Sequence, residues 1–186
     1  MTWITASDDD KPILEEIEKQ TDRGAALIAV AYLEERLVAG IKARIQNNDE
    51  IEDKVFNYSG PLGTLSAKID MGFLIGIYDI ELHKKLHAVR QIRNEFAHTP
   101  SPRDFNSQRI KALCGNASLS ADIMLTDRAT RQQIHLFYQP DGTAKTAFLN
   151  TIKFALMLLD LETKKLPLRK PAKSLLPSVS TKENHS

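Results

Sequence analysis

One cysteine, Cys114, is all the chain has, so no intramolecular disulfide can form and a cysteine-built zinc cage is excluded. Long hydrophobic runs are missing too. The longest apolar stretch, residues 154–159, is bounded by Lys153 and Asp160 and falls far short of the ~20 residues a membrane span needs. The opening MTWITASDDDK has no basic region followed by an apolar run, so it does not read as a signal peptide. Neither a glycine-rich phosphate loop nor a Gly-x-Ser-x-Gly elbow occurs. Net charge is only +1, which by itself calls for neither nucleic acid nor a membrane surface. What remains is a soluble, cytoplasmic chain with no membrane partner and no cofactor.

The 186 residues, 42% of them hydrophobic and 26% charged, are enough to bury one core. Charge is unevenly placed. From Lys164 to Ser186 there are six basic residues against one acid, Glu183, which leaves the rest of the chain at about −4. The expected organisation is one helical domain over 1–166 and a disordered tail over 167–186, rich in Lys and carrying Pro167, Pro171 and Pro177.

Apolar spacing predicts an all-α bundle of about five to six helices. Ser7, Asp8, Asp9 and Asp10 offer caps for a first helix with Pro12 in its first turn, ending near Gln20. Ala26, Val30, Leu33, Leu37 and Ile41 recur at three and four, one apolar face of a helix over 21–45. The polar residues 46–59 read as a loop or short turns, and Gly60-Pro61-Leu62-Gly63 as a turn. Thr64 can cap a helix over 65–76, and Asp79 another ending at His98, where Thr99 before Pro100 forces a stop. A short helix is expected at 102–113. The segment 121–139 is open between helical turns at 128–136 and a small β-hairpin pairing 123–125 with 134–138. A last helix over 143–166 is apolar nearly all round between Phe148 and Leu161, as the middle of a bundle requires.

The helix that starts after Asp79 carries the chemistry. At ~100° per residue, Leu82, Leu86, Val89, Ile92 and Phe96 fall in one arc about 120° wide, a core face. Arg93 falls inside that arc, where a guanidinium needs a carboxylate partner or an opening in the core. The next arc holds His83, Asn94, His87, His98 and Gln91. His83 and His87 have the i, i+4 spacing of a metal pair. His98 lies roughly 16 Å further along the axis, and no acidic residue shares the arc, so no metal site is expected.

Arg93-Asn94-Glu95-Phe96-Ala97-His98 is an Arg-x4-His pattern near the end of a helix in an all-α chain. It resembles the motif of HEPN domains, many of which are metal-independent ribonucleases with the motif's Arg and His lining a cleft between two protomers. The residue types suit that chemistry. Histidine shuttles a proton near neutral pH, arginine holds a phosphate as charge builds, and Asn94 could orient the His98 ring. Arg93 and His98 lie about 140° apart around the helix, so a dimer cleft is needed to bring both to one phosphate. The competing reading is structural: a paired core arginine, and a histidine at the negative end of the helix dipole.

The run from Gly60-Pro61-Leu62-Gly63-Thr64-Leu65-Ser66 through Leu74-Ile75-Gly76-Ile77 to the Arg93–His98 segment, together with the helix preceding it, resembles the mannitol operon repressor (MltR) family over roughly residues 21–160. The resemblance implies an all-helical transcriptional regulator without a recognised DNA-binding motif. The residues agree, because no helix pair combines a short glycine turn with a basic, polar-faced second helix. The resulting expectation is a repressor-like homodimer that acts through a protein partner, with direct DNA binding not expected. The alternative is an HEPN-type ribonuclease, with RNA as its partner and Arg93, Asn94 and His98 as its site.

Overall fold

Five helices begin in the same way: a polar side chain accepts a hydrogen bond from a backbone N–H three residues on. Thr21 takes that of Gly24, Asn48 that of Ile51, Thr64 that of Ala67, Asp79 that of Leu82 and Thr143 that of Thr146. Each bond satisfies one of the donors that a helix leaves open at its start. The computed structural model describes residues 10–99, 104–119, 122–126, 133–137 and 142–164. The remaining expectations, the caps before Asp10 and the basic tail, lie outside the described residues.

Within that range the order is α1 (Lys11–Lys19), α2 (Asp22–Lys42), α3 (Asp49–Phe56), α4 (Leu65–Leu74), α5 (Ile80–His98), α6 (Gln108–Ala117), β1 (Asp122–Thr126), β2 (Gln133–Phe137) and α7 (Ala144–Lys164). The architecture is the expected helical bundle. α2, α5 and α7 pack on one another, α6 lies against α5 and α7, α4 joins α2 to α5, and α1 rests on α2. α7 buries Phe148, Leu149, Ile152, Phe154, Ala155, Leu156 and Leu159, as its all-round apolar character requires.

Three expectations are corrected or decided. Residues 46–59 are not all loop. Asn48 caps α3, with Asp49 and Glu50 in its first turn, an acidic start that suits the positive end of the dipole. The helix is short and largely polar, so it carries no apolar stripe to reveal it. α6 begins at 108 rather than 102. Asp104 accepts the Asn106 N–H on its side chain at 3.0 Å, and its carbonyl accepts the Ser107 hydroxyl at 2.7 Å. This local turn competes with helix and delivers Phe105 to the core. Between helix and hairpin at 121–139, the structure takes the hairpin: β1 pairs antiparallel with β2, Asp122 opposite Phe137 and Thr126 opposite Gln133.

The α4–α5 corner positions the candidate site. Gly76 sits at φ 73, a left-handed conformation that glycine adopts without penalty. Its N–H donates to the Phe73 carbonyl, and that of Ile77 donates to Gly72, both at 2.9 Å. That pair of bonds closes the end of α4 as a Schellman motif. Buried Tyr78 braces the corner by donating its hydroxyl to the Ile69 carbonyl at 2.7 Å, and burial pushes its phenol above the ordinary range.

Charges in the core are paired. Asp10, fully buried, accepts from the Tyr32 hydroxyl and lies 3.7 Å from Arg36 Nε. Burial, and then the Asp10 bond, raise the Tyr32 phenol to about 12. Buried Lys68 of α4 meets Glu34 of α2. Cys114 is buried, and burial pushes its thiol up to about 12. The thiolate is the reactive species, so at pH 8 Cys114 is expected to resist a disulfide reagent in the native protein and to react fully in denaturant. Rapid native-state labelling would contradict this burial.

Candidate functional site

α5 buries Leu82, Leu86, Ala88, Val89, Ile92 and Phe96, so its apolar arc lies where the helical wheel places it. The polar arc beside it does not act as one ribbon. It divides into two parts, one at each end of the helix.

At the carboxyl end stand the three motif residues. Arg93 is half-buried, and among the described residues its guanidinium bonds Asn94 Oδ1, at 3.2 Å from NH1. Of the two settings expected for it, a carboxylate partner or an opening in the core, the carboxylate is absent among the described residues. Glu95, on the same helix, pairs instead with Arg109 at 2.5 Å. Asn94 accepts the Arg93 bond on Oδ1, and among the described residues no hydrogen bond joins it to His98. His98 is exposed at the last turn. One residue later, the Thr99 carbonyl accepts from Arg23 NH2 at 2.8 Å, a cation at the negative end of the helix. The structure thus brings Arg93 and Asn94 together and leaves His98 apart, on the surface.

Near the amino end, the i, i+4 pair His83 and His87 meets a carboxylate that the sequence reading did not assign to it. Asp70 of α4 reaches across the corner. Its Oδ1 lies 2.8 Å from His83 Nε2 and 3.0 Å from His87 Nε2, and the two Nε2 atoms are 3.2 Å apart. Both imidazoles are partly buried, whereas Asp70 is about half exposed, at 52%. The bond from His83, then that from His87, holds the Asp70 carboxyl below the usual carboxylate range. Phe73 flanks the His83 ring, with centroids 5.1 Å apart. No spacing along one helix points to Asp70, because it stands on the preceding helix. The available signal was a lone acid in α4, otherwise apolar apart from Ser66 and Lys68, ahead of a histidine pair.

No family model and no curated protein matches the chain. Among solved structures, the chain is similar to one in the X-ray structure of the MtlR–HPr complex from Escherichia coli. That likeness has 16% identity and a TM-score of 0.54, and covers 83% of this chain and 97% of the other. It establishes a shared fold. Among the described residues, no helix is long and apolar enough to cross a membrane.

Proposed function

We propose that this chain is a regulatory protein of the mannitol repressor kind, homodimeric, that works by docking a protein partner rather than by reading DNA. The observation that carries the reading is the fold, matched across nearly the whole of an MtlR chain from a structure in which MtlR is bound to HPr. The packing of α5 is consistent with it. α4 and α5 are joined by a short glycine-containing turn, yet α5 packs against α2, α4, α6 and α7. A helix enclosed in this way is poorly placed to enter a major groove. Apolar side chains remain on the surface where a partner could cover them, among them Tyr58 at 96% exposure and Leu74 at 76%. Exposed aromatics of this type often supply much of an interface's binding energy.

The test is a titration of the full chain with HPr from the organism that encodes it, followed by calorimetry. Saturable binding with a Kd below about 100 μM is the expected result, and no binding at that concentration removes the reading as stated. A salt series on DNA forms the second arm. Strong, salt-sensitive binding would place DNA contact ahead of protein docking.

One observation favours a second reading, the HEPN-type ribonuclease. Arg93 is half-buried without a carboxylate among the described residues, so its charge is available to a phosphate at a dimer cleft. Overexpression of the wild type and of His98→Ala, scored for growth and RNA integrity at equal soluble levels, separates the two. The regulatory reading expects no difference. RNA loss and poor growth in the wild type alone would transfer the function to Arg93 and His98.

A further inference from the structure

We propose that Asp70, His83 and His87 form a binding site for a divalent transition-metal ion, with Zn²⁺ as the representative species. Three potential ligand atoms, two imidazole Nε2 and one carboxylate Oδ1, form a triangle with edges of 2.8, 3.0 and 3.2 Å. With metal–ligand distances of about 2.0–2.2 Å, neighbouring ligand atoms sit roughly 3.3 Å apart in a tetrahedral site and roughly 3.0 Å apart on an octahedral face. The observed edges therefore need shifts of only a few tenths of an ångström. An ion seated about 1 Å above the triangle would reach all three atoms.

The surroundings indicate what kind of site this is. Two imidazoles and a carboxylate suit Zn²⁺ and its neighbours, whereas Mg²⁺ and Ca²⁺ prefer oxygen ligands throughout. With Asp70 half exposed, the remaining coordination positions face solvent, so the site is of the open, three-ligand type. Its ligands come from two helices joined at the Gly76 corner, so the ion would tie α4 to α5. One feature limits affinity. Coordination through Nε2 leaves the proton on Nδ1, and His83 Nδ1 is buried with no hydrogen-bond partner. Metal-bound histidines normally donate that proton to an acceptor. Binding is therefore expected in the micromolar range rather than the nanomolar.

The experiment is calorimetric titration of chelator-stripped full-length protein with ZnCl₂ at neutral pH, with MgCl₂ as the control. The wild type should take up about one Zn²⁺ per chain and no Mg²⁺. Asp70→Asn and His87→Ala should each weaken binding at least about tenfold. Asp70→Asn alters a half-exposed, isosteric side chain, so it carries the test if His87→Ala does not fold, as circular dichroism will tell. A wild type that takes up no Zn²⁺ at about 100 μM, or an Asp70→Asn variant that binds as tightly as the wild type, overturns the proposal.

Discussion

Phe105→Ala is expected to destabilise the protein by about 3–5 kcal/mol, the usual cost of deleting a buried aromatic side chain. Phe105 lies outside every helix, yet it is only 3% exposed. Its ring stands 5.0 Å from that of Phe96 on α5 and 5.4 Å from that of Phe148 on α7. Both neighbours are themselves fully buried and fixed on helices, so they cannot readily close the space its removal would leave. The backbone is pinned as well. The Phe105 N–H donates to Asp22 Oδ2 at 3.0 Å, and Asp22 Oδ1 pairs with Lys145 at 3.2 Å. One loop residue thus links the starts of α2 and α7 to the last turn of α5. For a chain of this size the loss should lower the melting temperature by roughly 10 °C. Phe105→Leu, which refills most of the volume, should cost about 1–2 kcal/mol. Urea unfolding of both variants checks the claim, and an alanine variant within about 1 kcal/mol of wild type would contradict it.

Phe105 also marks where the chain stops being readable from its sequence. The helices with apolar stripes or clear caps, α2, α4, α5 and α7, are legible because side-chain periodicity and capping chemistry are local. Thr64 and Asp79 act as caps where spacing places them. α3 is not legible in this way, because its stability comes from an acidic start and from contacts at its far end. α6 is displaced because Asp104 organises a turn that competes with a proline-led helix start. The site follows the same division. The His83–His87 spacing is visible on one helix, but Asp70 joins it from 13 residues before His83, across a corner whose angle depends on Gly76. Arg93 lies at the edge of the core arc, and a helical wheel places its angle without showing which neighbours reach it.

The turn on which the family resemblance most depends, Gly60-Pro61-Leu62-Gly63, should fail on a single methyl group. A Cβ added to Gly63 would lie 2.4 Å from the Tyr58 carbonyl oxygen and 2.5 Å from that of Asn57. One added to Gly60 would lie 2.3 Å from the Lys54 oxygen and 2.5 Å from that of Val55. These are backbone atoms at the end of α3 and just beyond it, so no side-chain rotation relieves the clash. The turn also supplies donors to carbonyls there, since the Leu62 N–H bonds the Val55 oxygen and the Gly60 N–H bonds that of Asn57, both at 2.9 Å. Gly63→Ala is therefore expected to lift the turn and to cost on the order of 3 kcal/mol in overpacking and lost hydrogen bonds. α3 is too short to persist unaided. Its side-chain ties to the bundle include Lys42, 3.2 Å from Glu52 and 5.3 Å from the Phe56 ring centroid. The cost should thus appear first as local opening of residues 46–63, before any global unfolding. Where cleavage follows the open population, that free energy corresponds to proteolysis in this segment about a hundredfold faster than in wild type. The melting temperature should fall by less than it does for Phe105→Ala. Proteolysis at the wild-type rate would mean that the turn does not hold α3, and that its two glycines are not required by close approach.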